Sequence, residues 1–286
     1  MKDNDESWDI EVTARQSLFS FRFSEVWRYR DLLVLFVKRD FAAIYKQTLL
    51  GPLWFFIQPM LTAITMTVVF GRIAGLDTAG YPKIVFYLSG ITAWTYFSEC
   101  LIKTSSTFVA NQSLFGKVYF PRIIVPLSVV VSNVFRFGIQ LLMLFGLIIY
   151  YNIAGIRIVP NEYLLLFPVL LVLMAALGLG FGMFLSSLTT KYRDLQFLIT
   201  FGVSLLMYLS PVIFPLTAVK DPFWRDVLIA NPMTSIIETF RYAVLGGQGE
   251  FTLWLPLAYT TGFTIVLFMG SLFMFNRVQR SFMDTV

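Results

Sequence analysis

The stretch Arg39-Asp40-Phe41-Ala42-Ala43-Ile44-Tyr45-Lys46-Gln47-Thr48-Leu49-Leu50-Gly51-Pro52-Leu53-Trp54-Phe55-Phe56-Ile57-Gln58-Pro59 decides the fold. Before it the chain is charged; after Lys46 no charged residue occurs until Arg72. Lys and Arg crowd the approach, at positions 2, 15, 22, 28, 30, 38, 39 and 46. Positive residues stay on the cytoplasmic side of a bilayer, so this cluster holds the N-terminus inside and sends the first apolar run outward. Every later segment takes its side from this one.

Composition agrees. The 286 residues are 57% hydrophobic and 14% charged, whereas a soluble domain is about 25% charged. Mean hydropathy is +0.72. The apolar runs are long and continuous, and the alternating pattern of barrel strands is absent, so the class is an all-α, multi-span membrane protein. The net charge of +5 collects beside the apolar runs. Orientation requires it there, so nucleic acid is not implied. The acidic start, Met1 to Glu11, lacks a basic leader and an early apolar core, so the first apolar run is expected to be retained. Cys100 is the single cysteine and histidine is absent. An intrachain disulfide, a catalytic histidine and a Cys/His zinc site are thereby excluded. No G-x-x-x-x-G-K-S/T pattern occurs; if ATP drives this protein, another chain binds it.

Outward from the deciding stretch, residues 1–23 read as a polar cytoplasmic lead and 24–48 as an amphipathic helix. Ser24 can cap it. Val26, Leu33, Val34, Val37, Phe41, Ile44 and Tyr45 recur at helical spacing, opposite Arg28, Arg39 and Lys46. Such a helix lies along the membrane surface, and Gly51-Pro52 turns the chain into the bilayer. A six-span domain, 52–276, follows. Its spans are expected near 52–73, 84–108, 123–151, 163–190, from 195 onward, and 253–275. Residues 211–245, broken by Pro211, Pro215, Pro222 and Pro232, read as an outer re-entrant helical hairpin, with helical pieces at 212–219 and 232–245. Residues 277–286 form a cytoplasmic tail. Most of the 22 Lys and Arg fall inside on this topology. Arg72, Lys83, Arg157, Lys220, Arg225 and Arg241 fall outside, which supports both termini in the cytoplasm.

Glu99, Lys103 and Arg136 are charges within spans, where charge is costly and takes a partner or a wet cavity. Glu99 and Arg136 lie at similar depth on consecutive antiparallel helices and are expected to pair, as a structural ion pair or a substrate contact. Lys103 can snorkel. Tyr87, Trp94 and Tyr96 offer ring faces on which sugars can slide; interfacial belts account for most other aromatics. Gly178, Gly182 and Ser186 follow small-xxx-small spacing, which lets another helix approach closely, in this chain or a second one. The inner loop 111–122 is basic and aromatic. A short helix there could present Leu114, Phe115, Val118 and Tyr119 to a cytoplasmic partner, or be a plain surface loop.

Four pieces, in order, resemble the permease subunits of ABC-type polysaccharide exporters. They are Tyr45-Lys46-Gln47-Thr48 with Leu50-Gly51-Pro52-Leu53-Trp54 and Pro59; Tyr119-Phe120-Pro121-Arg122 with Pro126-Leu127; Tyr192-Arg193-Asp194; and Ser210-Pro211-Val212-Ile213-Phe214-Pro215 followed by Asn231-Pro232-Met233 and Phe240-Arg241. The resemblance implies a homodimer in the bacterial inner membrane that moves a lipid-linked polymer such as O-antigen, capsule or teichoic acid. Two cytoplasmic ATPase subunits would carry ATP and Mg, with no cofactor on this chain. It implies ATPase coupling through Leu114, Phe115, Lys117, Val118, Tyr119, Phe120 and Arg122, and an outer gate at Pro211, Val212, Phe214 and Pro215. A substrate path past Tyr87, Trp94, Tyr96, Glu99 and Arg136 would fit that role. Two other readings stay open: an ABC permease for a drug or lipid, and a membrane transferase acting on lipid-linked sugars. The second would need a catalytic acid or base. The outer loops offer Asp77, Asp221, Asp226, Glu238 and Glu250, without a clustered pair.

Overall fold

A computed structural model describes residues 23–46, 49–118, 120–247 and 252–281. Residues 1–22 of the polar lead, Gln47-Thr48, Tyr119, residues 248–251 with Glu250, and residues 282–286 of the tail lie outside the described residues. Among those described there is no strand.

The amphipathic segment forms α1 (Phe23–Arg28) and α2 (Arg30–Lys46), separated by a turn at Tyr29. A 3-10 turn at Gly51–Leu53, with Pro52 inside it, leads into α3 (Trp54–Met66). This helix widens into a π-helix, Thr67–Ile73, where Ala74 N–H reaches back to the Val69 carbonyl (2.9 Å). Then come α4 (Lys83–Ser105), two short helices α5 (Thr107–Ala110) and α6 (Gln112–Phe115), α7 (Ile124–Ile153), α8 (Phe167–Thr189) and α9 (Leu195–Tyr208). The chain ends with α10 (Pro222–Ala230), α11 (Pro232–Leu245) and α12 (Trp254–Ser281).

Among the described residues, four helical runs are long and apolar enough to cross a bilayer: 51–73, 124–153, 162–189 and 254–279. The two other expected spans are helices of a different kind. α4 has 23 residues but carries Lys83, Glu99 and Lys103 among many hydroxyl and aromatic side chains. It can be polar because its neighbours α3, α7, α8, α9 and α11 enclose it, so little of it meets lipid. α9 has 14 residues, roughly 21 Å of helix, short of the ~30 Å hydrocarbon core. In the proline-broken segment, the helix expected at 212–219 is irregular chain with one 3-10 turn, Leu216–Ala218. Pro215 in the middle of this stretch removes one backbone N–H, and its ring opposes the helical conformation of the residues before it. The first regular helix is α10, where Pro222 sits at the first helical position and the Asp221 side chain accepts from Phe223 N–H. α11 forms as expected, capped by Asn231 and ended by left-handed Gly246.

The core lies along α4 and α8. A side-chain carbon added at Gly178 would come 2.7 Å from Cys100 Cβ, and one at Gly182 would come 2.4 Å from Thr104 Cβ. The small-residue stripe is therefore the seat of α4 within the same chain. Gly180, on the opposite side of α8, faces Leu267 of α12. Thr189 of α8 donates to the Ser105 carbonyl at the end of α4 (2.8 Å).

Candidate functional site

The loop joining α4 to α7 is built from the inside. Phe108, Phe115 and Phe120 are all buried. Their rings form a chain across the end of the bundle. Phe36 of α2 meets Phe120 edge-on at 5.7 Å, Phe120 meets Phe115 at 5.7 Å, Phe115 meets Phe108 at 6.0 Å, and Phe108 stacks on Phe275 of α12 at 4.7 Å. Arg122 closes the loop: its guanidinium lies 5.4 Å over the Phe115 ring and donates to the Gln279 carbonyl (2.5 Å). Arg39 covers the Phe36 ring at 4.8 Å. Each such aromatic pair is worth ~0.5–1.5 kcal/mol beyond its buried area, so one continuous run of rings packs α2, the loop and α12 together. Two expectations change. Phe115, taken as a presented side chain, and Phe120, assigned with it to coupling, point inward as anchors. The outward side chains are Lys117 and Val118, both exposed, with Leu114 half-buried. Among the described side chains of α2, Phe36, which the apolar stripe omits, is the buried one, while Val34 is exposed.

Further along, the expected ion pair is present: Arg136 Nη1 lies 3.0 Å from Glu99 Oε2. Lys103 is exposed, as expected, and its Nζ also binds the same oxygen at 2.8 Å. Arg136 also sits 4.7 Å over the Phe55 ring of α3. Arg136 lines two cavities. One of about 450 Å³ lies toward α2, and one of about 200 Å³ lies between α3, α4 and α7. Trp94 lines the smaller cavity with Glu99, Arg136 and Gln140. Tyr87 and Tyr96, grouped with Trp94 on sequence grounds, are packed in the interior; Tyr96 sits 5.1 Å from the Phe137 ring.

At the other end of α4, Pro211, Val212 and Pro215 are buried and Phe214 is half-buried. Arg241 of α11 holds them. Its Nη2 donates to the carbonyls of Pro211 (2.8 Å) and Val212 (3.4 Å), and its Nη1 to Glu238 Oε1 (3.0 Å). The same carboxylate oxygen accepts from Leu216 N–H (3.2 Å). The guanidinium lies 3.8 Å over Phe86 of α4. At Gly90, one turn on, an added side-chain carbon would come 2.8 Å from Arg241 Nη2 and 3.1 Å from the Val212 carbonyl oxygen. Burial pushes the Glu238 carboxyl up and the Arg241 guanidinium down from their ordinary values, and each partner's charge offsets part of the other's shift. Asn231 ties α11 back to the segment, donating to Ser210 Oγ (2.8 Å). Sequence reasoning counted Arg241 as an outer-surface charge. The available signal is Glu238 and Arg241 three apart on an otherwise uncharged helix.

Comparison with known proteins places this arrangement. The family model described as ABC-2 type transporter matches residues 31–245. An O-antigen export system permease protein RfbA of Myxococcus xanthus is 28% identical over 218 residues, covering 76% of this chain and 81% of the relative. A Klebsiella pneumoniae protein of the same name is 26% identical over 257 residues, covering 89% and 94%. The inner membrane transport permease YadH of Escherichia coli K12 is 23% identical over 238 residues, covering 80% and 86%. The family match runs from the start of α2 to the end of α11, through the clamped loop, the ion pair and the Arg241 contacts, and on that extent the chain belongs to the ABC-2 type transporter family and is a multi-pass membrane protein.

Proposed function

We propose that this chain is the transmembrane permease of an ATP-driven exporter moving a lipid-linked polysaccharide, O-antigen or a related polymer, across the bacterial inner membrane. The observation that carries the reading is similarity to O-antigen export permeases over 94% of the relative's length, joined to a loop braced between α2 and α12. In this reading α3, α4, α7, α8, α9 and α12 make six spans with both termini in the cytoplasm. α9 is completed by the Ser210–Leu216 segment, and α10 and α11 form an outer re-entrant hairpin.

Two copies of the chain enclose the path, and two separate ATPase subunits bind ATP and Mg. Lys117 and Val118, with Tyr119 beside them, meet the ATPase. Phe115, Phe120 and Arg122 carry its movement to α2 and α12. ATP binding drives the dimer only through a difference in affinity between its closed and open arrangements. The Pro211–Pro215 segment, tied to α4 by Arg241, acts as the outer gate. The relatives are named as permeases, which sets the transferase reading aside. YadH, whose name specifies an inner membrane transport permease and no cargo, leaves a second reading beside this one, a permease for a drug or lipid.

The test starts with the chain purified from its own membranes in mild detergent, with co-purifying proteins identified and ATP hydrolysis assayed. A stoichiometric ATPase, uncoupled when Tyr119 and Phe120 are changed to Ala, is the expected result. Deletion of the gene should also remove the surface polymer. A chain that co-purifies with no ATPase overturns the transport reading. Intact surface polymer in the deletion strain overturns the cargo.

A further inference from the structure

The cavity of about 450 Å³ beneath α2 has a wall that the export reading does not use. Lys103 and Arg136 both line it, and both bind one carboxylate oxygen, Glu99 Oε2. Two cations sharing one anion leave a net positive charge. Arg39, in the same wall, is matched by Asp40 at 2.9 Å and adds none. At membrane depth an unbalanced charge is costly unless an opposite charge or water answers it.

A second observation is independent of charge. Ser132 Oγ, also in this wall, is buried with no hydrogen-bond partner; of ten such side-chain atoms among the described residues it is the one whose residue lines this cavity. Buried hydroxyls are almost always paired, so each exception asks for an explanation. The rest of the lining includes Val125 and Val129. The cavity thus joins two charged donors and a spare hydroxyl to an apolar strip.

We propose that this cavity binds the phosphate group of a membrane lipid, with the start of its tail along Val125 and Val129. A phosphate oxygen accepts charge-assisted hydrogen bonds from an ammonium and a guanidinium. Glu99 holds both cations in place without cancelling them, and Ser132 donates the third bond. A soluble anion satisfies the cations but not the valine strip. A zwitterionic lipid has no net charge to balance the excess. An amphipathic helix such as α2 lies at headgroup level, where lipid phosphates are concentrated. The lipid phosphate has two sources: an anionic phospholipid of the bilayer, or the diphosphate of a lipid-linked cargo. The inference rests on the membrane reading alone and stands whichever cargo is exported.

The experiment uses the full chain in nanodiscs of phosphatidylcholine with a minor share of phosphatidylglycerol, with lipids retained on the protein counted by native mass spectrometry. The wild type should retain phosphatidylglycerol in preference to phosphatidylcholine. Lys103→Gln and Ser132→Val should each weaken retention by about tenfold, one charge-assisted bond or its equivalent; Lys103→Arg should keep it. Lys103→Gln leaves the Glu99–Arg136 pair in place, and Ser132→Val removes no existing bond, so at least one variant should fold. A short polyprenyl diphosphate is then added. Displacement of phosphatidylglycerol assigns the site to cargo-type headgroups; no displacement assigns it to resident phospholipid; either supports a lipid-phosphate site. Equal retention by wild type and both variants overturns the proposal, as does retention of phosphatidylcholine equal to that of phosphatidylglycerol. Neither result bears on the exporter reading, because the discs contain no ATPase and no polymer.

Discussion

Phe36 of α2 and Phe120 of the α4–α7 loop meet edge-on, with ring centroids 5.7 Å apart, and both are buried. That contact joins a surface helix to a loop more than eighty residues away in sequence. Through Phe115, Phe108 and Phe275 it continues to α12.

Cutting the chain of rings should uncouple the loop. Phe120→Ala is expected to cost about 3–5 kcal/mol, the range for large-to-small changes at buried aromatic sites. Phe36→Ala should act on the same contact, so the double variant should lose less than the two singles combined, by ~0.5–1.5 kcal/mol. Thermal unfolding of the purified chain measures this; additive losses would show that the two rings do not act together.

The exposed side of the loop should behave in the opposite way. Lys117→Glu and Val118→Asp leave the buried rings untouched and should shift stability by no more than about 0.5 kcal/mol. They should nonetheless weaken ATPase association, read by pull-down against the wild type. A stable variant that still binds the ATPase fully would remove Lys117 and Val118 from the contact.

The α4–α8 seam should tolerate no added atoms. Gly182→Ala puts a methyl 2.4 Å from Thr104 Cβ and 3.0 Å from the Leu101 carbonyl oxygen, atoms fixed to the α4 backbone with little give, and should cost ~1–3 kcal/mol. Gly202→Ala on α9 has nothing within 4 Å and should be neutral or gain up to ~1 kcal/mol from helix propensity. Unfolding temperatures of the two variants test the contrast directly.

Removing the Arg241 clamp should free the Pro211–Pro215 segment. Arg241→Met leaves Glu238 buried without its cation, and breaking such a pair costs about 3–5 kcal/mol. Adding Glu238→Gln should recover part of that loss. The segment's mobility is read by labelling a cysteine placed at Phe214, with Cys100 changed to Ser. Faster labelling in Arg241→Met than in the parent is expected, and unchanged labelling would mean that the segment is held by other contacts.

Much of the fold could be read from periodicity and charge alone. A long apolar run must be a helix in lipid, because only a helix satisfies its own backbone. The Glu99–Arg136 pair was also legible, since two charges at equal depth on adjacent spans have few other partners. The structure brings those two together as expected. Lys103 is exposed, as its place near the end of the helix suggests, and its added contact with Glu99, four residues back, depends on a rotamer that spacing does not fix.

The sequence by itself determined the helical membrane class, the positions of the long spans, and the family-like pieces at 45–59, 119–127 and 210–241. These depend on composition and spacing, which are local. Only the tertiary structure decided that Phe115 and Phe120 face inward and Lys117 and Val118 outward, that the glycine stripe of α8 seats α4 of the same chain, and that Arg241 grips the Pro211 and Val212 carbonyls under Phe86. In an apolar chain nearly every face is hydrophobic, so pattern does not separate lipid-facing from core-facing residues; the neighbouring helices do.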